Sequence, residues 1–285
     1  MAPHPPPEAS RGSRAADGPS KRSELPQRIV AGLALMALAL GAVWAGFYWF
    51  MAFWLIAAAL VNWEWQTLVG EDKRLLRVTL GTAALAVAAF LSVHDETSGA
   101  AGIVLLGVAI VGLVGRSVWA AGGVVYAGAM LIAVCTLRSS EELGARAILW
   151  LFALVWGVDI MAYFGGRLVG GPKLWPRVSP GKTWSGFVVG VVCGAAAGAF
   201  LSPEGGAKVS LFALGLLGGA LAQGGDLFES AIKRRFGVKD SSHLIPGHGG
   251  LMDRLDGFIA AAIFAAAIGA LRAGLPHAAK GLLQW

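Results

Sequence analysis

Apolar runs close to the ~20 residues needed to cross a bilayer recur along almost the whole chain, and they set what it can fold into. They lie at about 28–44, 46–62, 75–93, 101–115, 118–137, 146–165, 185–202, 209–226 and 255–273. A mean hydropathy of +0.66, with only 14% charged residues, belongs to an integral membrane protein and not to a soluble globule. The expected fold class is therefore all-α, a polytopic bundle of transmembrane helices. No polar loop separates the first two runs, which read either as two helices or as one long tilted or re-entrant unit. The count is accordingly eight or nine.

Charge placement orients this map. With the N-terminus cytoplasmic, 18 of the 23 Lys and Arg residues fall in cytoplasmic segments and 5 (Arg138, Arg146, Lys208, Arg272, Lys280) fall outside. That bias follows the positive-inside rule and favours an odd number of spans, N-in and C-out. The expected location is the inner (cytoplasmic) cell membrane. The net charge of +6 reflects this asymmetry and attraction to anionic lipid. No basic-aromatic surface argues for nucleic acid. Residues 1–27, rich in Pro, Ser and Arg, read as a disordered cytoplasmic tail, followed by N-terminal transmembrane helices over 28–145 and a C-terminal catalytic region over 146–285. Cys135 and Cys193 read as small apolar packing residues inside spans. The many Ala and Gly residues suit close helix packing in lipid, or reflect base composition alone.

Between the last two runs lies a polar island, Ser230 to Asp256, SAIKRRFGVKDSSHLIPGHGGLMDRLD. Lys233, Arg234, Lys239 and Arg254 supply cations for phosphates, and interleaved Asp240, Asp253 and Asp256 supply carboxylates. The Pro-Gly-His-Gly-Gly turn with His248, Gly249 and Gly250 lets backbone approach a ligand. This combination suits phosphoryl or nucleotidyl transfer at a membrane surface. Asp226, in Gly-Gly-Asp just before the island, and Asp253 at its far end would face one cavity if the segment folds back as a hairpin. Mg²⁺ usually takes one or two carboxylates plus substrate phosphate and water, so this pair is the expected metal site. Zinc is disfavoured, because His243 and His248 have no third nitrogen or sulfur ligand nearby.

Two further constellations accompany the island. Asp159 interrupts an apolar span, an expensive place for a carboxylate unless it has a function or a partner such as Arg167. The loop Ser179-Pro180-Gly181-Lys182-Thr183 is no Walker A motif, since position 176 is Pro and no strand is expected before it. It reads as an anion site at a helix start, or as a cytoplasmic interfacial anchor through Lys182.

The island, read as Ser-x-Ile-Lys-Arg, four residues, Lys-Asp-x-Ser, two residues, Ile-Pro-x-His-Gly-Gly-Leu-x-Asp-Arg-Leu-Asp, resembles the signature of the phosphatidate cytidylyltransferases, also called CDP-diglyceride synthases. Asp159-x-x-Ala162-Tyr163 and Ser-Pro-x-Lys-Thr resemble two further motifs of that family, with a departure at Ser185, where many relatives carry Glu or Gln. The resemblance covers about a third of the chain. It implies a cytoplasm-facing polar cavity in which CTP and phosphatidate react, with Mg²⁺ and room for a second cation, and it is compatible with a homodimer. It implies catalytic roles for Asp226, Lys233, Arg234, Lys239, Asp240, His248, Asp253, Arg254 and Asp256. Substrate contacts are implied for Asp159, Tyr163, Ser179, Lys182, Thr183, Ser230, Gly249 and Gly250. Other readings stay open at this point: another membrane lipid phospho- or nucleotidyltransferase such as an isoprenoid-alcohol kinase, or a transporter using Asp159 as part of an ion path. The CDP-alcohol phosphotransferases are excluded, because Asp256-Gly257 is followed by Phe-Ile-Ala-Ala instead of their motif.

Overall fold

The computed structural model describes residues 21–94, 96–203, 207–245 and 249–285. Among the described residues nine apolar helices follow one another, joined mostly by turns of a few residues: α1 Lys21–Trp44, α2 Phe47–Val69, α3 Arg74–Val93, α4 Thr97–Gly115, α5 Val118–Arg138, α6 Gly144–Val169, α7 Trp184–Phe200, α8 Lys208–Arg235 and α9 Met252–Ala273. Seven of them are long and apolar enough to span a bilayer; the apolar stretches Val30–Trp44 and Trp184–Phe200 are shorter. A single-turn 3₁₀ segment, Leu275–His277, and a short α10, Ala278–Leu283, close the chain. The first two apolar runs are two helices, broken at Gly46, whose φ of 97° interrupts helical geometry at a residue without a side chain. The Arg138 guanidinium at the end of α5 donates to the Val43 carbonyl at the end of α1 (3.0 Å), so those two helix ends lie on one side of the bundle.

Three helices run further than their apolar stretches predict. α2 continues past residue 62 to Val69, carrying Asn62, Glu64 and Gln66 in buried positions. α8 continues nine residues past Asp226 into the expected loop, and α9 begins at Met252, before Asp253. Polar residues here do not mark helix ends, because neighbouring elements supply them with partners. Gln66 Nε2 donates to the Ala120 carbonyl (2.8 Å), Trp65 Nε1 to the Trp119 carbonyl (2.7 Å), and buried Arg77 to the Gly70 carbonyl. The C-terminal end of α2 is thereby fastened to the start of α5 and to α3.

The loop between α6 and α7 departs from pure helix. Lys173–Trp175 (β1) and Ser179–Thr183 (β2) pair antiparallel as a small hairpin, and Thr183 ends β2 by accepting from the Gly186 N–H (3.1 Å) as the N-cap of α7. Ser185 donates to the Gly170 carbonyl just past α6 and contacts Thr183 Oγ1 (3.0 Å), tying the hairpin's two ends together.

Small residues on α7 have a packing role in this fold. Gly186, Gly190 and Gly194 lie against the α6 carbonyls of Ala162, Val158 and Leu154, each so near that a Cβ would sit 2.7 Å from the oxygen. The seam fixes the hairpin and Thr183 beside the half of α6 that carries Asp159 and Tyr163. Gly225 does the same between α8 and α9, where a Cβ would lie 2.6 Å from the Asp256 carbonyl. At the centre, Trp54 of α2 stacks on Phe258 of α9 (4.8 Å, 9°) and Phe152 of α6 stacks on Trp156 (4.8 Å, 5°).

Candidate active site

One cavity of about 1190 Å³ runs from an apolar wall to a charged end. Leu35, Met36 and Ala39 of α1, Phe53 and Ile56 of α2, and Phe152 and Trp156 of α6 form the apolar side. The charged side gathers Asp159 and Arg167 from α6, Lys173 and Lys182 from the hairpin, Asp226 and Lys233 from α8, Asp240 from the following loop, and Asp253, Arg254 and Asp256 from α9. Five cationic side chains thus face five carboxylates.

Lys182 turns inward. Its ammonium pairs with Asp226 Oδ2 (2.6 Å) and donates to Gln223 Oε1 (2.8 Å), one turn earlier on α8. Asp226 Oδ1 accepts from Ser230 Oγ (3.3 Å), and its side chain keeps 30% of its surface open to the cavity. Asp159 and Asp256 stand within electrostatic reach of Asp226. Tyr163 accepts from Arg167 (3.0 Å) on the same face of α6.

The far end of the polar segment is arranged differently. Asp253 is enclosed by donors: Lys233 Nζ (2.6 Å) and Ser241 N (3.2 Å) on Oδ1, and Gly250 N (2.7 Å), Ser241 N (3.0 Å) and Ser241 Oγ (3.0 Å) on Oδ2. Lys233 also forms an ion pair with Glu229 (2.5 Å), whose carboxylate is fully buried one helical turn earlier. Beneath them Glu64 of α2, also fully buried, accepts from Ser242 Oγ (2.6 Å), Leu251 N (2.8 Å), Met252 N (2.6 Å) and Ser241 Oγ (3.2 Å).

A model of the "Cytidylyltransferase family" matches residues 26–271, which is most of the chain. The chain is 41% identical over 218 residues to a phosphatidate cytidylyltransferase of Brucella abortus biovar 1 (strain 9-941), covering 73% of this chain and 80% of the relative. The corresponding Brucella melitensis protein is 40% identical over the same shares. One from Rickettsia felis is 39% identical over 137 residues, 45% of this chain and 60% of the relative. The chain belongs to the cytidylyltransferase family.

Within this family member, the residues expected from sequence divide by position. Asp159, Tyr163, Lys182, Thr183, Asp226, Lys233, Asp240, Asp253, Arg254 and Asp256 all line the one cavity, drawn from α6, the hairpin, α8, the following loop and α9. Others surround it. Ser230 touches Asp226; Arg234, exposed, donates to the Val238 carbonyl (3.0 Å); Lys239 is exposed; and Ser179 lies at the start of β2. Gly249, at φ 79°, and Gly250 shape the turn before α9; a Cβ on Gly250 would overlap Ser241 Oγ and sit 2.5 Å from Glu64 Oε1. His248 lies outside the described residues.

Glu64, Gln223 and Glu229 were not anticipated. Gln223 stands three residues before Asp226 in Gln-Gly-Gly-Asp, and Glu229 four residues before Lys233; both spacings place them on the helix face of their partner. The signal for Glu64 was a carboxylate next to an apolar run, which reads as a loop entry while α2 is taken to stop at residue 62.

Proposed function

We propose that this cytidylyltransferase family member transfers the cytidylyl group of CTP to phosphatidate, releasing pyrophosphate and forming CDP-diacylglycerol for phospholipid biosynthesis. A phosphatidate oxygen attacks the α-phosphorus of CTP, the new P–O bond forms, and the bond to the β-phosphate oxygen breaks. Phosphatidate is already ionised near neutral pH, so no strong base is needed; the task is to bring two anions together. The observation that carries this reading is the cavity's join of an apolar helix wall to a charged end. Acyl chains suit the wall of α1, α2 and α6, and phosphates suit Lys182 and Arg254 at the other end. A transporter reading leaves the five-cation, five-carboxylate end without a purpose.

Because cations and carboxylates balance there, two polyanionic substrates need further positive charge. Mg²⁺ bound at Asp226 would supply it, with the chemistry of a Lewis acid on the substrate phosphates. Among the described residues no three His, Cys, Asp or Glu side chains are grouped so as to hold an ion by themselves. That suits an ion held by one or two carboxylates plus substrate oxygens and water. Asp226 fits this part, being hard, partly open to the cavity and paired with Lys182, whose ammonium can turn to a phosphate once a metal is present. Asp253 fits if it gives up one of its donors, Lys233 or Ser241, to the ion. A second cation and a homodimer are further parts of the proposal.

The orientation follows the charge bias: the active-site end of α2, α6, α8 and α9 faces the cytoplasm of the inner membrane, and Trp285 lies outside. In a background lacking Cys135 and Cys193, an impermeant thiol reagent added from outside should label Lys280→Cys and not Lys239→Cys; the opposite pattern overturns the orientation. The function is tested by product analysis in detergent with CTP, phosphatidate and Mg²⁺. CDP-diacylglycerol and pyrophosphate in equal amounts are expected. CTP-dependent phosphorylation of an isoprenoid alcohol, with phosphatidate left unconverted, would establish the kinase reading instead.

A further inference from the structure

Glu64 is a fully buried carboxylate in an apolar helix of the N-terminal half, and its four described partners all come from the segment 241–252. Two are the backbone N–H groups of Leu251 and Met252, at the start of α9. The first N–H groups of a helix have no partner inside it, and Leu251, in the N-cap position of α9, offers no side-chain oxygen. Glu64 reaches from α2 to supply both acceptors and sets a negative charge at the positive end of the α9 dipole. Its other contacts are the hydroxyls of Ser241 and Ser242, at the opposite end of the turn. One carboxylate therefore pins both ends of the loop that leads into Asp253, Arg254 and Asp256.

Gly250 is part of the same fit, since any side chain there would meet Glu64 Oε1 and Ser241 Oγ. α2 is itself immobilised at this level by Trp65 and Gln66, which donate to the carbonyls of Trp119 and Ala120. The Glu64 carboxylate is thus a fixed point outside the helices that carry the cavity's charged groups.

We propose that Glu64 is a positioning residue for cytidylyl transfer: capping α9 from another helix, it sets where Arg254 and Asp256 stand relative to Asp226. This rests on the cytidylyl-transfer reading above, and the test separates the two. Glu64→Gln keeps the size and one carbonyl. The serine hydroxyls can rotate to meet the new amide NH₂; the backbone N–H of Leu251 or Met252 cannot, and one of them loses its acceptor. A buried unsatisfied donor of this kind, acting on the transition state, predicts a fall of about tenfold or more in kcat per folded protein. KM for phosphatidate should change little, because the apolar wall is untouched.

The second readout needs no activity. Trypsin should cut after exposed Lys239 faster in Glu64→Gln than in wild type. Asn62→Ala on the same helix removes bonds to the Val78 carbonyl (3.3 Å) and Thr82 Oγ1 (3.4 Å) of α3 and one acceptor of Gln66 (3.4 Å), which keeps its bond to the Ala120 carbonyl (2.8 Å), and touches no group of the loop. It should lower the melting temperature in detergent while leaving both turnover per folded protein and Lys239 cleavage at wild-type values. If Glu64→Gln does not fold, Ser242→Ala, which removes one of the four donors, must show the same two changes in smaller measure. Wild-type kcat in folded Glu64→Gln overturns the proposal, whatever the trypsin result. Equal kcat losses in Glu64→Gln and Asn62→Ala also overturn it, since a general loss of stability then explains both. If wild type makes no CDP-diacylglycerol, the functional reading fails, and the trypsin comparison alone decides whether Glu64 holds the loop.

Discussion

Two sets of buried or half-buried carboxylates stand at the two ends of the polar segment, and their surroundings differ. Glu64 and Asp253 are saturated: between them they accept the N–H groups of Ser241, Gly250, Leu251 and Met252, two serine hydroxyls and the Lys233 ammonium. Asp226 is not saturated. Among the described residues it pairs with the Lys182 ammonium and accepts from the Ser230 hydroxyl, keeps an open side to the cavity, and has Asp159 and Asp256 as electrostatic neighbours. A carboxylate whose lone pairs are filled by backbone fixes a loop, whereas one that is partly open and paired with a lysine beside other carboxylates is prepared to exchange that lysine for a metal or a phosphate-bound ion. Residue type alone does not tell these roles apart; the count and kind of donors do.

The sharpest way to break this contrast is at Asp226. Asp226→Asn should fold and yet lose about a thousandfold or more in turnover, several kcal/mol of transition-state stabilisation, as expected for loss of a metal-ligand charge. Steady-state rates per folded protein check this, and wild-type activity would remove Asp226 from the site. Next comes Lys182. Lys182→Ala should insert normally and lose about 1.5–3 kcal/mol, roughly ten- to over a hundredfold in kcat/KM, if its ammonium meets a phosphate. Lys182→Arg should lose less, since it keeps the charge but replaces a compact donor by a planar fork. Unchanged kinetics in Lys182→Ala would leave the hairpin a connector. The smallest catalytic effect is expected at the α6–α7 seam. Gly190→Val presses on the Val158 carbonyl and should cost about 1–3 kcal/mol in stability, read as a lower melting temperature in detergent. Turnover per folded protein should fall little.

The same contrast explains what could be read from the chain alone. The apolar runs mark the helices, and the island Ser230–Asp256 marks half of the charged end, because those residues are close in sequence and their types are unusual in lipid. Lys182 and Asp226 stand in separate motifs of the chain, and only the fold shows that they meet. Glu64 escaped because its partners lie 177 to 188 residues away and because polar Asn62, Glu64 and Gln66 look like the end of a helix. Interhelical hydrogen bonds let α2 carry them to Val69, and no local pattern announces a partner supplied by another helix. The abundance of glycine was visible, but its use was not: whether Gly190 or Gly225 is a seam or an accident of composition depends on which backbone lies opposite.

The central claim, that saturated Glu64 holds the loop while open Asp226 takes part in the reaction, is tested most directly by the Mg²⁺ dependence of turnover in Asp226→Glu and Glu64→Gln. Both keep a side chain of the right size or charge and are expected to retain measurable rates. The account predicts that Asp226→Glu shifts the Mg²⁺ concentration for half-maximal rate upward, while Glu64→Gln lowers the maximal rate at an unchanged half-maximal Mg²⁺. A shifted Mg²⁺ dependence in Glu64→Gln together with an unshifted one in Asp226→Glu would contradict it.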